Sequence, residues 1–144
     1  MRAGRVESIS PRARRVLAVV GALYLVAVAA IAFWPTPVDG VAYEAIQRTT
    51  AVAPAIRHDG IEIVANVMLF VPFGVIGVLI ALSRVVVIAA AAVFSTLIEL
   101  VQGAFLEQRT ASVTDVIANT AGAVVGVLLA LAILARRVRA SRSH

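Results

Sequence analysis

The feature that most constrains this chain is the absence of charge from long stretches of it. Residues 16–38, 63–83 and 116–135 contain no Asp, Glu, Lys or Arg, and 85–106 contains only Glu99. Each run is long enough to cross a hydrocarbon core as a helix, which takes about 20 predominantly apolar residues. Composition agrees: 61% of the residues are hydrophobic and 15% charged, against about 45–50% and 25% in soluble domains. The expected fold is all-α. The chain reads as a polytopic membrane protein with four transmembrane helices in a small bundle.

The spans are expected at about 16–34, 61–82, 85–106 and 114–135. They form one domain over 16–135, between a basic tail at 1–15 and a second at 136–144. In the first span Ala27-Val28-Ala29 resembles a signal-peptide cleavage site. The apolar run continues to Trp34, past the 7–15 residues of a signal h-region, which favours a retained helix. Trp34 suits the membrane interface, and Pro35 and Pro37 end the span. In the polar connection 35–60, Asp39 can cap a short interfacial helix over 40–52; an unstructured loop is the competing reading. His58, Asp59 and Glu62 are a weak metal signal, three mixed ligands with no second cluster. A solvated span end is the better reading. Ser83 and Arg84 leave only a tight turn, so spans two and three are an antiparallel pair.

The net charge of +5 comes from arginine alone. Those arginines flank the apolar runs, as topology signals do, and this argues against nucleic-acid binding. Cytoplasmic loops are enriched in basic residues. With both termini inside, ten arginines lie on the cytoplasmic side and Arg48, Arg57 and Arg109 outside. The expectation is therefore N-in, C-in, in the cell membrane. The sequence has no cysteine, which excludes disulfides, thiolate metal sites and cysteine nucleophiles.

Helical spacing sorts the polar residues onto faces. Asn66 shares a face of span two with Phe70, Phe73, Gly74 and Gly77. Ser95, Glu99 and Gln102 share a face of span three, and Asp115, Asn119, Gly122 and Gly126 one of span four. The topology puts Asn66, Glu99 and Asn119 each roughly 8–10 Å inside the outer boundary, at 1.5 Å per residue. Arg109 lies in the loop above them. An ionised carboxylate deep in a span costs about 2.5–3.5 kcal/mol. Glu99 is thus expected to face Gln102, Asn66 and Asn119, or to be carried as the neutral acid.

Two readings follow. The set is either a ligand or catalytic site, or a clamp holding helices in register by interhelical hydrogen bonds. Arg109 either pairs with Asp115, worth about 0–1 kcal/mol if exposed, or folds over the carboxylates. In the second case it makes an anion-binding lip beside the start of span four, where a helix N-terminus also favours anions. The candidate ligand-binding residues are Asn66, Glu99, Gln102, Arg109, Asp115 and Asn119, with Glu99 the candidate acid or base. No cofactor or metal is expected.

These residues resemble the VanZ-like membrane protein family, first known for a role in teicoplanin (glycopeptide) resistance. The resemblance is carried by Asn66-Val67-Met68-Leu69-Phe70-Val71-Pro72-Phe73-Gly74, then Ser95, Glu99 and Gln102, then Arg109, Asp115, Asn119, Gly122 and Gly126. It covers about residues 61–130. After Arg109 many relatives carry an aromatic and a further acid, whereas this chain has Ala111, Ser112, Val113 and Thr114. The resemblance implies a cell-envelope membrane protein that affects sensitivity to glycopeptide antibiotics, and it brings no reaction with it.

The expected function is to bind a lipid-like or lipid-linked anion in an outer-leaflet polar pocket. Membrane lipids and a lipid-linked envelope precursor are the expected partners. One alternative is a membrane enzyme acting on an envelope lipid, with Glu99 as general acid or base; Ser95 has no histidine near it in sequence to make a nucleophile. A small proton-coupled transporter is the other, and four short helices leave it little room.

Overall fold

The structure, a computed structural model, describes residues 10–34, 58–80, 83–106 and 111–141. It contains four helices: α1 Pro11–Ala32, α2 His58–Leu79, α3 Arg84–Phe105 and α4 Val113–Ala140. All four are long and apolar enough to cross a membrane, and the described residues contain no strand. The proposed interfacial helix over 40–52 and the loop residue Arg109 lie outside the described residues.

Three of the helices start on a serine. Ser10, Ser83 and Ser112 each accept, through Oγ, the backbone N–H three residues on, at 3.2 Å. A serine N-cap satisfies one of the donors a helix start leaves open, and in a low-dielectric setting that donor has few other partners. Pro11 follows Ser10 at the first helical position, where its missing N–H costs nothing. Hence α1 begins ahead of the expected boundary at 16. Helix α4 runs on through Arg136, Arg137 and Arg139, past the expected end at 135. Arginine is a good helix former, and cations in a last turn complement the helix dipole.

Helix α2 continues through Pro72. Proline removes the donor that would serve the Met68 carbonyl and loosens the ladder there. The next carbonyl, that of Leu69, accepts a 2.6 Å bond from Tyr24 Oη of α1. Partners from a neighbouring helix are how membrane proteins tolerate such prolines.

The closest seam joins α2 to α4. A Cβ on Gly74, Gly122 or Gly126 would overlap the backbone oxygen of Ala123, Val67 or Val71 respectively. The two backbones therefore meet directly, as small residues permit between membrane helices. Gly122-x-x-x-Gly126, weak as a sequence signal, is the α4 half of this seam, and Gly74 is its counterpart on α2. Helix α3 packs on both partners. Phe94 joins Phe70 and Phe73 of α2, with ring centroids 6.2 Å from each. Helix α1 rests on α2 and α3 through Tyr24, Val28 and Ala32.

The alternating helix directions segregate charge. Arg12, Arg14 and Arg15 open α1, Arg84 opens α3, and Arg136, Arg137 and Arg139 lie near the end of α4. These all fall at one end of the bundle. Glu62, Glu99 and Asp115 lie toward the opposite end.

Candidate functional site

At the acid-bearing end the four helices enclose a cavity of about 220 Å³. Helix α1 contributes Val28, Ile31 and Ala32, and α2 contributes Glu62, Ala65, Asn66, Leu69 and Phe70. Helix α3 contributes Ile98, Glu99 and Gln102, and α4 contributes Asp115 and Asn119. Phe70, 1% exposed, is the deepest α2 residue in the wall. From Glu62 to Phe70 the helix rises about 12 Å at 1.5 Å per residue. Below Phe70 the aromatic cluster with Phe73 and Phe94 fills the bundle.

The expected polar faces do converge here. Asn66, Glu99, Gln102, Asp115 and Asn119 all line this one cavity. Ser95, Glu99, Gln102 and Asn119 are buried; Asn66 and Asp115 are half-buried. Helical spacing placed those side chains on the right faces, while Glu99, Gln102 and Asn119 form bonds among the described residues that were not expected.

Glu99 was expected to be held by Gln102, Asn66 and Asn119. Instead its Oε2 accepts the backbone N–H of Ser112 at 2.7 Å, at the N-cap of α4. The positive end of a helix favours an anion, and the residue occupying that position is Glu99 itself. Gln102 donates through Nε2 to the Ala32 carbonyl at 2.8 Å, one of the carbonyls that the end of α1 leaves without a helical partner. Asn119 donates through Nδ2 to Ser95 Oγ at 2.8 Å. These bonds tie α3 to α4 twice and α3 to α1 once, so part of the polar set works as a clamp.

One atom is not used by the clamp. Asn119 Oδ1 is fully buried and has no hydrogen-bond partner among the described residues. A buried amide oxygen without a donor is unfavourable by about 1–3 kcal/mol. Asn119 lines the cavity, but this oxygen is closed off from solvent, so a donor reaches it only if the wall shifts.

Sequence reasoning missed three contributors. Glu62, read as a solvated span end, lines the cavity; it stands one helical turn before Asn66, a spacing that could have found it. Ser112 was noted only as a departure from the family pattern, yet Ser112-x-x-Asp115 is the serine-to-acid spacing of a helix N-terminus. The α1 wall has no polar signature and could not be read. No three of the described His, Asp and Glu residues are grouped to hold a metal ion.

The VanZ/LLP1 family model matches residues 21–135. The chain belongs to the VanZ/LLP1 family. The match spans the cavity-forming parts of all four helices, so the cavity lies within the VanZ-like domain. No curated protein and no solved structure matches the chain. Family membership and four apolar helices make it a VanZ-like membrane protein.

Proposed function

We propose that this VanZ-like protein binds the polar headgroup of a lipid-linked envelope molecule in the cavity, reached from the outer leaflet of the cell membrane. The observation that carries the reading is the convergence of Glu62, Asn66, Glu99, Asp115 and Asn119, from three helices, on one cavity. Placing the arginine end in the cytoplasm, as basic residues prefer, turns the cavity outward.

The lining also indicates what kind of headgroup fits. The wall is largely apolar, and Glu62, Glu99 and Asp115 make up half of its polar side chains. Glu99 already occupies the α4 N-terminus, where an external anion was first expected. Hydroxyl or amine groups of a headgroup suit such a wall, while a phosphate does not. Any phosphate of the same molecule falls to Arg109, which the sequence places in the connection between α3 and α4. A lipid-linked sugar has both parts. Holding such a precursor would give the family's association with glycopeptide sensitivity a physical route.

The test uses the full chain in phosphatidylcholine nanodiscs with a polyprenyl-diphosphate sugar as the probe. The probe should raise the thermal unfolding midpoint of the wild type. Glu62→Gln and Arg109→Ala should each shrink that shift, measured against the variant's own midpoint without probe. Equal shifts in all three proteins would sink the reading.

A second reading is acid–base chemistry on such a lipid, favoured by the carboxylates lining one cavity. Glu99→Gln keeps the oxygen that Ser112 N–H needs and abolishes proton transfer. Lipid turnover lost in that variant, with binding retained, would select the enzyme over the binding protein. Transport through one subunit is disfavoured by the aromatic cluster beneath the cavity.

A further inference from the structure

The opposite end of the bundle has its own cleft. Helix α1 packs on α2 and α3, which leaves a space of about 700 Å³ between the start of α1 and the end of α4. Leu17 of α1, Val75 and Leu79 of α2 and Ile133 of α4 line it together with Arg12 and Arg137, both exposed. The volume falls within the roughly 300–1,000 Å³ typical of small-molecule sites. We propose that this cleft holds one anionic phospholipid of the cytoplasmic leaflet, with its phosphate between Arg12 and Arg137 and an acyl chain along the apolar wall.

Charge complementarity selects this occupant. Two arginines from different helices line this one cleft, and no acid among the described residues lies at that end. Arginine presents a planar fork of donors that matches phosphate oxygens. Basic pockets between membrane helices on the cytoplasmic side are suited to anionic headgroups. A second copy of the chain fits poorly, because the same end of that copy would bring the same arginines against these. A zwitterionic lipid would fill the apolar part equally well but would place its own cation beside them. The cleft is separate from the acid-lined cavity and shares no residue with it.

The binding should be selective by about fivefold per arginine, the equivalent of about 1 kcal/mol for each cation near the membrane surface. The experiment is native mass spectrometry of the full chain released from nanodiscs of phosphatidylglycerol and phosphatidylcholine in equal proportion. Wild type should retain one phosphatidylglycerol in preference to phosphatidylcholine. Arg12→Gln/Arg137→Gln should lose roughly 25-fold of that preference, while Arg14→Gln/Arg139→Gln, with the same charge removed at the same end but outside the cleft, should keep it. Helix content by circular dichroism confirms that each variant is folded. An equal loss in both double variants would overturn the site in favour of a diffuse arginine field. No lipid preference in wild type, or a dimer that Arg12→Gln/Arg137→Gln abolishes, would overturn it as well.

Discussion

The side-chain amide of Gln102 donates to the backbone carbonyl of Ala32 at 2.8 Å, joining residues 70 positions apart in sequence. This bond closes the end of α1 onto α3 at the rim of the cavity. Interhelical hydrogen bonds in membrane proteins average about 0.6 kcal/mol and reach about 1.7. Gln102→Leu should destabilise within that range, measured by unfolding in mixed detergent micelles. Gln102→Glu should cost more, because it sets an acceptor against an acceptor.

The glycine seam should be the least forgiving part of the chain. Gly126→Ala pushes a methyl into the Val71 carbonyl oxygen and toward the Gly74 Cα, and overpacking of this kind costs about 1–3 kcal/mol or more. At Gly60 nothing lies within 4 Å of an added Cβ. Gly60→Ala should therefore be neutral or stabilise by up to about 1 kcal/mol through helix propensity. The same unfolding assay ranks the pair, and equal effects would contradict the packing described.

Ser95 and Asn119 should be energetically coupled. Ser95→Ala leaves Asn119 Nδ2 unpaired where Oδ1 already has no partner, and the expected loss is about 1–3 kcal/mol. A double-mutant cycle with Asn119→Ala should return a coupling of about 0.6–1.7 kcal/mol.

Glu99 should tolerate amidation better than removal. Glu99→Gln retains an oxygen for the Ser112 N–H and should stay within about 1 kcal/mol of wild type, whereas Glu99→Leu orphans that donor at about 1–3 kcal/mol. Chemical denaturation of the purified variants distinguishes the two.

The charge segregation predicts orientation. The chain has no cysteine, so single cysteines report cleanly. Ser10→Cys and Ser141→Cys should react with a membrane-impermeant maleimide only after cells are opened. Gly60→Cys and Ala111→Cys should react in intact cells. The reverse pattern would invert the proposed topology.

Much of this architecture is legible in the sequence because a bilayer leaves little choice. Three uncharged runs and one broken only by Glu99 marked the four helices, and 3.6-residue spacing put Ser95, Glu99, Gln102, Asn119, Gly122 and Gly126 on faces that are buried. What spacing does not encode is the far end of each bond. Gln102 bonds a backbone carbonyl, and a carbonyl is the same on every residue. Glu99 bonds a backbone N–H whose availability depends on where α4 begins. Glu62 was obscured for another reason: a charge near a span end looks solvated until a neighbouring helix is known to stand beside it. Helices α1 and α4 run past the hydropathic spans, to Pro11 and Ala140, because the backbone follows the serine cap and the arginines' helix propensity.

The direct meeting of backbones at Gly74, Gly122 and Gly126 has a consequence for variation. No side chain lies between α2 and α4 there, so no rotamer change or modest substitution can reset their spacing. Two walls of the cavity are thereby held at a fixed distance. Helix α1 instead meets the others through side chains such as Tyr24 and Val28, whose size can be altered. Widening or narrowing the cavity is then a matter of redrawing α1, which contributes only Val28, Ile31 and Ala32 to its wall.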